Sequence, residues 1–287
     1  MKTTNVKLPS GAVIEIRKIS LRDENFLAGA ARSKRKNNDK VLIEVMSRCT
    51  IGFVEPGPYK DVNAGDKVKW DDMLSGDWFG AMIELRKFSY REGSSYDIQV
   101  QCPALGCNNK FGWKVDLDKD LFVKGLPEES VEAMAEGKPL STTIDGRVVE
   151  FNLGYVKDNE AQDKLEKRFP GREVSCMLRS RIVSVEGVER QDILTWLDGL
   201  KRGGVESTKY EGLCSDDTED LRAAFEEVDC GVDTEVEVEC TKSSCSEVFT
   251  LDLPFDNIFT PARAAGQRRA RRESPPRKEE SERQSED

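Results

Sequence analysis

Cys102 and Cys107 are separated by four residues, and Cys240 and Cys245 by four as well. Each pair sits in the same surroundings. Tyr96-Asp97-Ile98-Gln99-Val100-Gln101 leads into the first pair, and Phe111 and Val115-Asp116-Leu117 follow it. Asp233-Thr234-Glu235-Val236-Glu237-Val238-Glu239 leads into the second, and Phe249 and Leu251-Asp252-Leu253 follow. Apolar and polar residues alternating on both sides of a short turn predict a β-hairpin with cysteines at its tip. Thiolates are good zinc donors, and a structural zinc takes four ligands in a tetrahedron. Two hairpins with two thiols each make one such set. The spacing therefore predicts one structural zinc per chain, held by Cys102, Cys107, Cys240 and Cys245, with two unmetallated hairpins as the competing reading. Cys49 and Cys176 read as small packed hydrophobes. Cys214 and Cys230 flank one predicted helix, and Cys230 is a candidate spare ligand.

Other chemistry lacks its usual parts. The 287 residues include no histidine, which removes imidazole bases, Ser-His and Cys-His pairs and histidine metal ligands. No glycine-rich phosphate loop is present, and the carboxylates are scattered as on a solvated surface. A non-enzymatic role without a small-molecule substrate is expected. The net charge of -10 weighs against affinity for phosphate backbones. No apolar run is long enough to cross a bilayer, and Met1-Lys2-Thr3-Thr4-Asn5 does not open a secretory signal. An intracellular chain with reduced thiols is the expectation, which favours metal over disulfides.

The elements that must position the cysteines follow from periodicity. Val6–Lys7–Leu8 and Val13 to Arg17 read as strands around a Pro9-Ser10-Gly11 turn. Ser20 and Asp23 read as a helix cap, and Val41 to Cys49 as a short helix. Gly52 to Lys69 reads as a loop or small hairpin. Asp77 is expected to cap an amphipathic helix carrying Trp78, Met82 and Leu85, which ends at Gly93 and feeds the first hairpin. A short acidic helix is expected near 128–136, a hairpin turning at Asp145-Gly146, and helices at 159–168, 174–185, 191–200 and 215–228, the last closed by Cys230-Gly231.

Helix, glycine stop, strand, cysteine pair and returning strand thus occur twice. The expected fold is α+β with two similar halves, 1–139 and 140–261, each with helices and a cysteine-tipped hairpin, joined by a shared zinc-ribbon-like site. Residues 262–287, with Arg268-Arg269-Ala270-Arg271-Arg272, lack large apolar side chains and are expected to be a disordered charged tail.

Three segments carry a family resemblance. The run Asp77-Trp78-Phe79-Gly80-Ala81-Met82-Ile83-Glu84-Leu85-Arg86-Lys87-Phe88-Ser89-Tyr90 into Tyr96 to Pro103 resembles the helix-to-knuckle segment of the baseplate hub assembly proteins of T-even-like contractile-tailed phages. Leu253-Pro254-Phe255-Asp256-Asn257-Ile258-Phe259-Thr260-Pro261 is similar to the segment that follows the cysteine pair in that family, and Leu8-Pro9-Ser10-Gly11 to its opening. The chain departs in having four residues between paired cysteines where the family usually has two. The resemblance implies a zinc-knuckle chaperone or minor baseplate component that binds other tail or hub proteins, in the host cytoplasm during assembly and with a place in the finished virion left open. The alternative is a zinc-ribbon nucleic-acid-binding protein, suggested by the cysteine pairs and the arginine cluster.

Overall fold

The computed structural model describes residues 2–32, 38–201, 203–255 and 258–259. The expected tail at 262–287, with its arginine cluster, lies outside the described residues. The fold is a mixed α+β arrangement. Strands β1 (Thr3–Lys7) and β2 (Val13–Arg17) form the opening hairpin, closed by Gly11 at φ 93°. Helices α1 (Leu21–Arg32) and α2 (Asn38–Cys49) follow, and α2 runs straight into β3 (Thr50–Glu55) on the far side of β2. The 52–69 stretch is thus part strand. Phe53 donates its N–H to Asp66 O and accepts from Gly65 N–H, which closes the small hairpin expected there.

The start of α1 is held by reciprocal bonds. Ser20 Oγ–H donates to Asp23 Oδ2 at 2.6 Å, and the Ser20 N–H donates to the same oxygen at 2.9 Å. Arg17 grips the carboxylate with two nitrogens at 2.7 and 3.2 Å. Burial pushes the Asp23 carboxyl up, but Arg17 and Ser20 outweigh it and hold it well below the usual range. A lowered folded value stabilises the fold above the unfolded value near 3.9, and that contribution fades as pH falls through the folded one. Asp23→Asn is therefore expected to cost about 2 kcal/mol at neutral pH, the worth of a charged hydrogen bond. The deficit should narrow as pH drops below about 4. Urea unfolding at the two pH values checks this, and an equal deficit at both would contradict it.

After a 3-10 turn at Trp70–Asp72 comes α3 (Ser75–Ser89), then the first cysteine hairpin, β4 (Ser95–Gln101) and β5 (Lys110–Asp116). Asp77 does not cap α3. The helix starts three residues earlier than a cap at Asp77 would place it, with Leu74 as its N-cap, so the Asp77 carboxylate points inward and is fully buried. Strand β6 (Phe122–Lys124) and helix α4 (Glu128–Glu136) lead to β7 (Leu140–Ile144) and β8 (Arg147–Phe151). Their turn is the expected Asp-Gly pair, both residues in the left-handed region (φ 50° and 68°).

Helix α5 (Val156–Arg168) and α6 (Glu173–Arg181) follow. The single helix expected over 174–185 stops at Arg181. Ile182-Val183-Ser184-Val185 instead extends as β9 (Ile182–Val185) along β8, because a β-branched run fits the open sheet edge better than a helix interior. Helix α7 (Ile193–Asp198) is shorter than expected, and α8 (Ser215–Val228) matches expectation. No glycine stop closes α8. Asp229 ends it in extended backbone, and Gly231 enters β10 (Gly231–Asp233), which pairs with β6. The second cysteine hairpin, β11 (Glu235–Glu239) and β12 (Val248–Asp252), comes last.

Apolar side chains gather into two clusters. One joins the β1–β2–β3 sheet, α2, α3, the inward residues of both cysteine hairpins, Leu253, Ile258 and Phe259. The other joins the β7–β8–β9 sheet with α6, α7 and α8. The first cluster therefore draws on both ends of the described chain, and residues between the hairpins, joined by Leu74, build the second. The two meet where α3 crosses β10. A Cβ on Gly76 would lie 2.0 Å from the Cys230 carbonyl oxygen, so only glycine allows this approach. Among the described residues, no helix is long and apolar enough to cross a membrane.

Candidate metal centre

The two cysteine hairpins match in backbone detail. Gln101 pairs with Lys110 across the first tip, and Glu239 with Val248 across the second. Cys102 N–H donates to Asn109 O and Cys240 N–H to Glu247 O, at 2.9 and 2.8 Å. Within the turns, Cys107 N–H donates to Ala104 O and Cys245 N–H to Lys242 O. The residue after each second cysteine, Asn108 or Ser246, adopts φ 50°, which reverses the chain. The four-residue spacing builds a regular tip.

The strand period decides which sulfurs are buried. Tyr96, Ile98, Val100 and Cys102 alternate inward along one hairpin, and Val236, Val238 and Cys240 along the other. Cys102 and Cys240 are buried, while Cys107 and Cys245 on the turns are half-buried. All four cysteines predicted from sequence come together, their sulfurs within 4.8 Å of one another. Cys102 to Cys245 and Cys107 to Cys240 are both 3.8 Å apart, and both contacts cross between hairpins. Zinc–sulfur bonds of about 2.3 Å in a tetrahedron require sulfur–sulfur edges of about 3.8 Å. The cluster is thus positioned to coordinate a single metal ion, and its donor set suits one structural zinc per chain.

Groups around the sulfurs oppose thiolate at Cys102 and favour it at Cys240. Burial raises Cys102 to about 12, with the neighbouring thiols adding to it and the Ala104 N–H opposing. Burial also pushes Cys240 up, but the Lys242 N–H, the Asn109 amide and the Cys102 and Cys107 thiols outweigh it and bring Cys240 to about 7. The amides of Ala104 and Lys242 stand two residues past the first cysteine of each tip, so the wide spacing still aims an N–H at each inner sulfur. Asn109 Nδ2 reaches both Cys240 Sγ, at 3.5 Å, and Thr241 Oγ1, at 3.2 Å, tying one hairpin to the other. Asn109 was not legible in the sequence as part of the site, since only the docking of the hairpins brings it there. Bound zinc supplies a closed, redox-inert crosslink. The chain's residues supply the donors and their orientation.

The remaining cysteines stand apart. Cys49 and Cys176 are fully buried in separate clusters, as expected of packing residues. Cys214 caps α8, its Sγ accepting from the Asp217 N–H. Cys230 does not join the four. Its Sγ lies 3.8 Å from Asp77 Oδ1, where burial and then Asp77 and Asp229 push the thiol far above its ordinary value.

The segment after β12 is bound to α3 and β4. Tyr96 Oη–H donates to Pro254 O. The Phe255 ring lies edge-on to Phe79 with centroids 4.8 Å apart and stacks on Tyr96 at 5.5 Å. Arg86, buried within α3, donates to Ile258 O and to Ser95 O, and Tyr90 Oη–H donates to Phe259 O at 2.6 Å. Compared with protein families, characterised proteins and solved structures, the chain matches none of them.

Proposed function

We propose that this chain is a non-enzymatic tail or baseplate hub assembly protein of the T-even-like contractile-tailed phage type, a chaperone or minor baseplate component that works by protein–protein contact. One structural zinc clips its two hairpins together. The observation that carries the reading is the mutual packing of the segments in which the resemblance resides. The helix run 77–90 and the start of β4 form the seat on which Pro254, Phe255, Ile258 and Phe259 rest. Residues conspicuous in sequence for their likeness are thereby one packed unit. In this reading the doubled hairpin is the trace of two similar halves, 1–139 and 140–261.

The surface chemistry supports protein partners over nucleic acid. Leu105 at the first tip is fully exposed, and Phe122 and Val123 on β6 are exposed as well. The outward face of the second hairpin carries Glu235, Glu237 and Glu239, which repel phosphate. Affinity capture of the tagged chain from phage-infected cells tests the proposal. Tail or hub proteins are expected in near-equal amounts to the bait, retained through nuclease treatment and a high-salt wash. Recovery of nucleic acid alone, lost as salt rises, would move the assignment to a zinc-ribbon nucleic-acid-binding protein.

A further inference from the structure

The four sulfurs are not equivalent, and the way they differ is chemically directed. Cys107 and Cys245 are half-exposed on the turns, and Cys102 and Cys240 are buried at the strand ends. Each half-exposed sulfur has a buried sulfur of the other hairpin in contact with it at 3.8 Å. An oxidant from solvent therefore meets Cys107 or Cys245 first, with a second thiol beside the attacked sulfur and shielded from solvent. That is the arrangement of a peroxidatic and a resolving cysteine, present here twice.

We infer that the cluster is a site of reversible oxidation, in which a peroxide converts it into two disulfides between the hairpins, Cys102–Cys245 and Cys107–Cys240. At each pair the exposed thiolate attacks one peroxide oxygen. The O–O bond breaks, a sulfenic acid forms and hydroxide leaves. The buried thiolate of the other hairpin then attacks the sulfenic sulfur, the S–S bond forms and a second hydroxide leaves. Two thiolates and one hydrogen peroxide thus give one disulfide and two hydroxides, which protons convert to water. Repeating this at the second pair consumes all four donors and releases zinc as the aqueous ion. Because both bonds cross between hairpins, oxidation replaces the metal crosslink with a covalent one. The docked arrangement survives metal loss, and thiol reductants restore the donors. The inference rests on the four-cysteine site of the proposed function but not on the assembly role.

The test uses the full chain with its zinc content measured beforehand. It is treated with hydrogen peroxide, digested without reductant and mapped by mass spectrometry, while a colorimetric chelator follows zinc release. Linked peptides joining Cys102 to Cys245 and Cys107 to Cys240 are expected, with one zinc released for two disulfides formed, and dithiothreitol should separate the peptides. In Cys107→Ser the link between Cys102 and Cys245 should persist alone. Should that variant fail to fold, the wild-type map still decides. Links within a hairpin, Cys102–Cys107 and Cys240–Cys245, would overturn the inference, as would sulfonic acids without linked peptides. Crossed disulfides in a chain that never held zinc would uphold the pairing while removing zinc from the proposed function.

Discussion

Stripping the metal from the zinc-loaded chain is expected to lower its unfolding midpoint by about 10 °C, with the second cysteine hairpin released first. Structural zinc in small thiolate sites binds with about 10–16 kcal/mol, and where the apo site is unformed that energy is folding energy. Here the hairpins also make apolar contacts, so only part of it is lost. About a third, roughly 4 kcal/mol, at ~2–4 °C per kcal/mol for a chain of this size gives a fall of roughly 8–16 °C. The order of release follows from packing. The β4–β5 hairpin buries Tyr96, Ile98, Val100, Phe111 and Val115, whereas β11–β12 buries only Val236 and Val238 on its strands. Hydrogen exchange of the apo chain should therefore show amides of 235–252 losing protection before those of 95–116, and before the β7–β8–β9 sheet in the other cluster. Acid acts in the same direction as chelator, since protons compete with zinc for the thiolates. Elemental analysis should return one zinc per chain, and Cys102→Ser should reproduce the chelated state. A chain that is metal-free as purified and melts unchanged with chelator would remove the zinc clip.

How much of this site a reader of the sequence can recover depends on whether the determining forces are local. The alternation through Tyr96 to Cys102 and Val236 to Cys240 is a local pattern, so the hairpins and the choice of four cysteines were legible. The Asp145-Gly146 turn and the Ser20 cap were legible for the same reason, because each depends on a few neighbouring residues. Strands set by distant partners were not. Phe122-Val123-Lys124 has too little pattern to announce a strand and becomes one by pairing with Gly231 to Asp233. Ile182 to Val185 carries a helix-compatible spacing, and the open edge of β8 decides it. Asp77 shows the limit most clearly. Its place before an apolar helix invites a capping role, and the alternative becomes visible only when the Ser10 turn, Tyr59 and Cys230 are brought around it.

Replacing Asp77 with alanine is expected to destabilise the chain by about 3–5 kcal/mol and to loosen the contact between the two apolar clusters. The carboxylate accepts from the Ser10 N–H at 2.8 Å, from Ser10 Oγ–H at 2.5 Å and from Tyr59 Oη–H at 2.6 Å. Tyr59 Oη in turn accepts from the Leu74 N–H at 3.1 Å. Burial, and then Asp77 itself, push the Tyr59 phenol far above its ordinary value, so it stays protonated and donates. Alanine leaves these donors buried without an acceptor, at about 1–3 kcal/mol each, with some relief from rotation of the serine hydroxyl. The loss falls on the seam. Ser10 belongs to the opening hairpin, Tyr59 packs against both clusters, and Cys230 stands at the entrance to β10. The expected signature is a less cooperative unfolding transition in Asp77→Ala, with a reduced dependence on denaturant. Titration separates charge from shape. Burial raises the folded Asp77 value above the unfolded one near 3.9, despite the bonds that favour the carboxylate. A raised value means that the stabilising contribution is complete below the unfolded value and is lost as pH rises through the folded one. Asp77→Asn keeps the shape and never ionises, so wild type should hold its largest advantage over this variant at low pH and lose ground as pH rises. Chemical unfolding of the three proteins from about pH 3 to pH 8, spanning the ordinary carboxylate range, measures both effects. A wild-type advantage over Asp77→Asn that stays constant with pH would show that Asp77 does not change its ionisation on folding, and a fully cooperative Asp77→Ala would show that the seam does not depend on it.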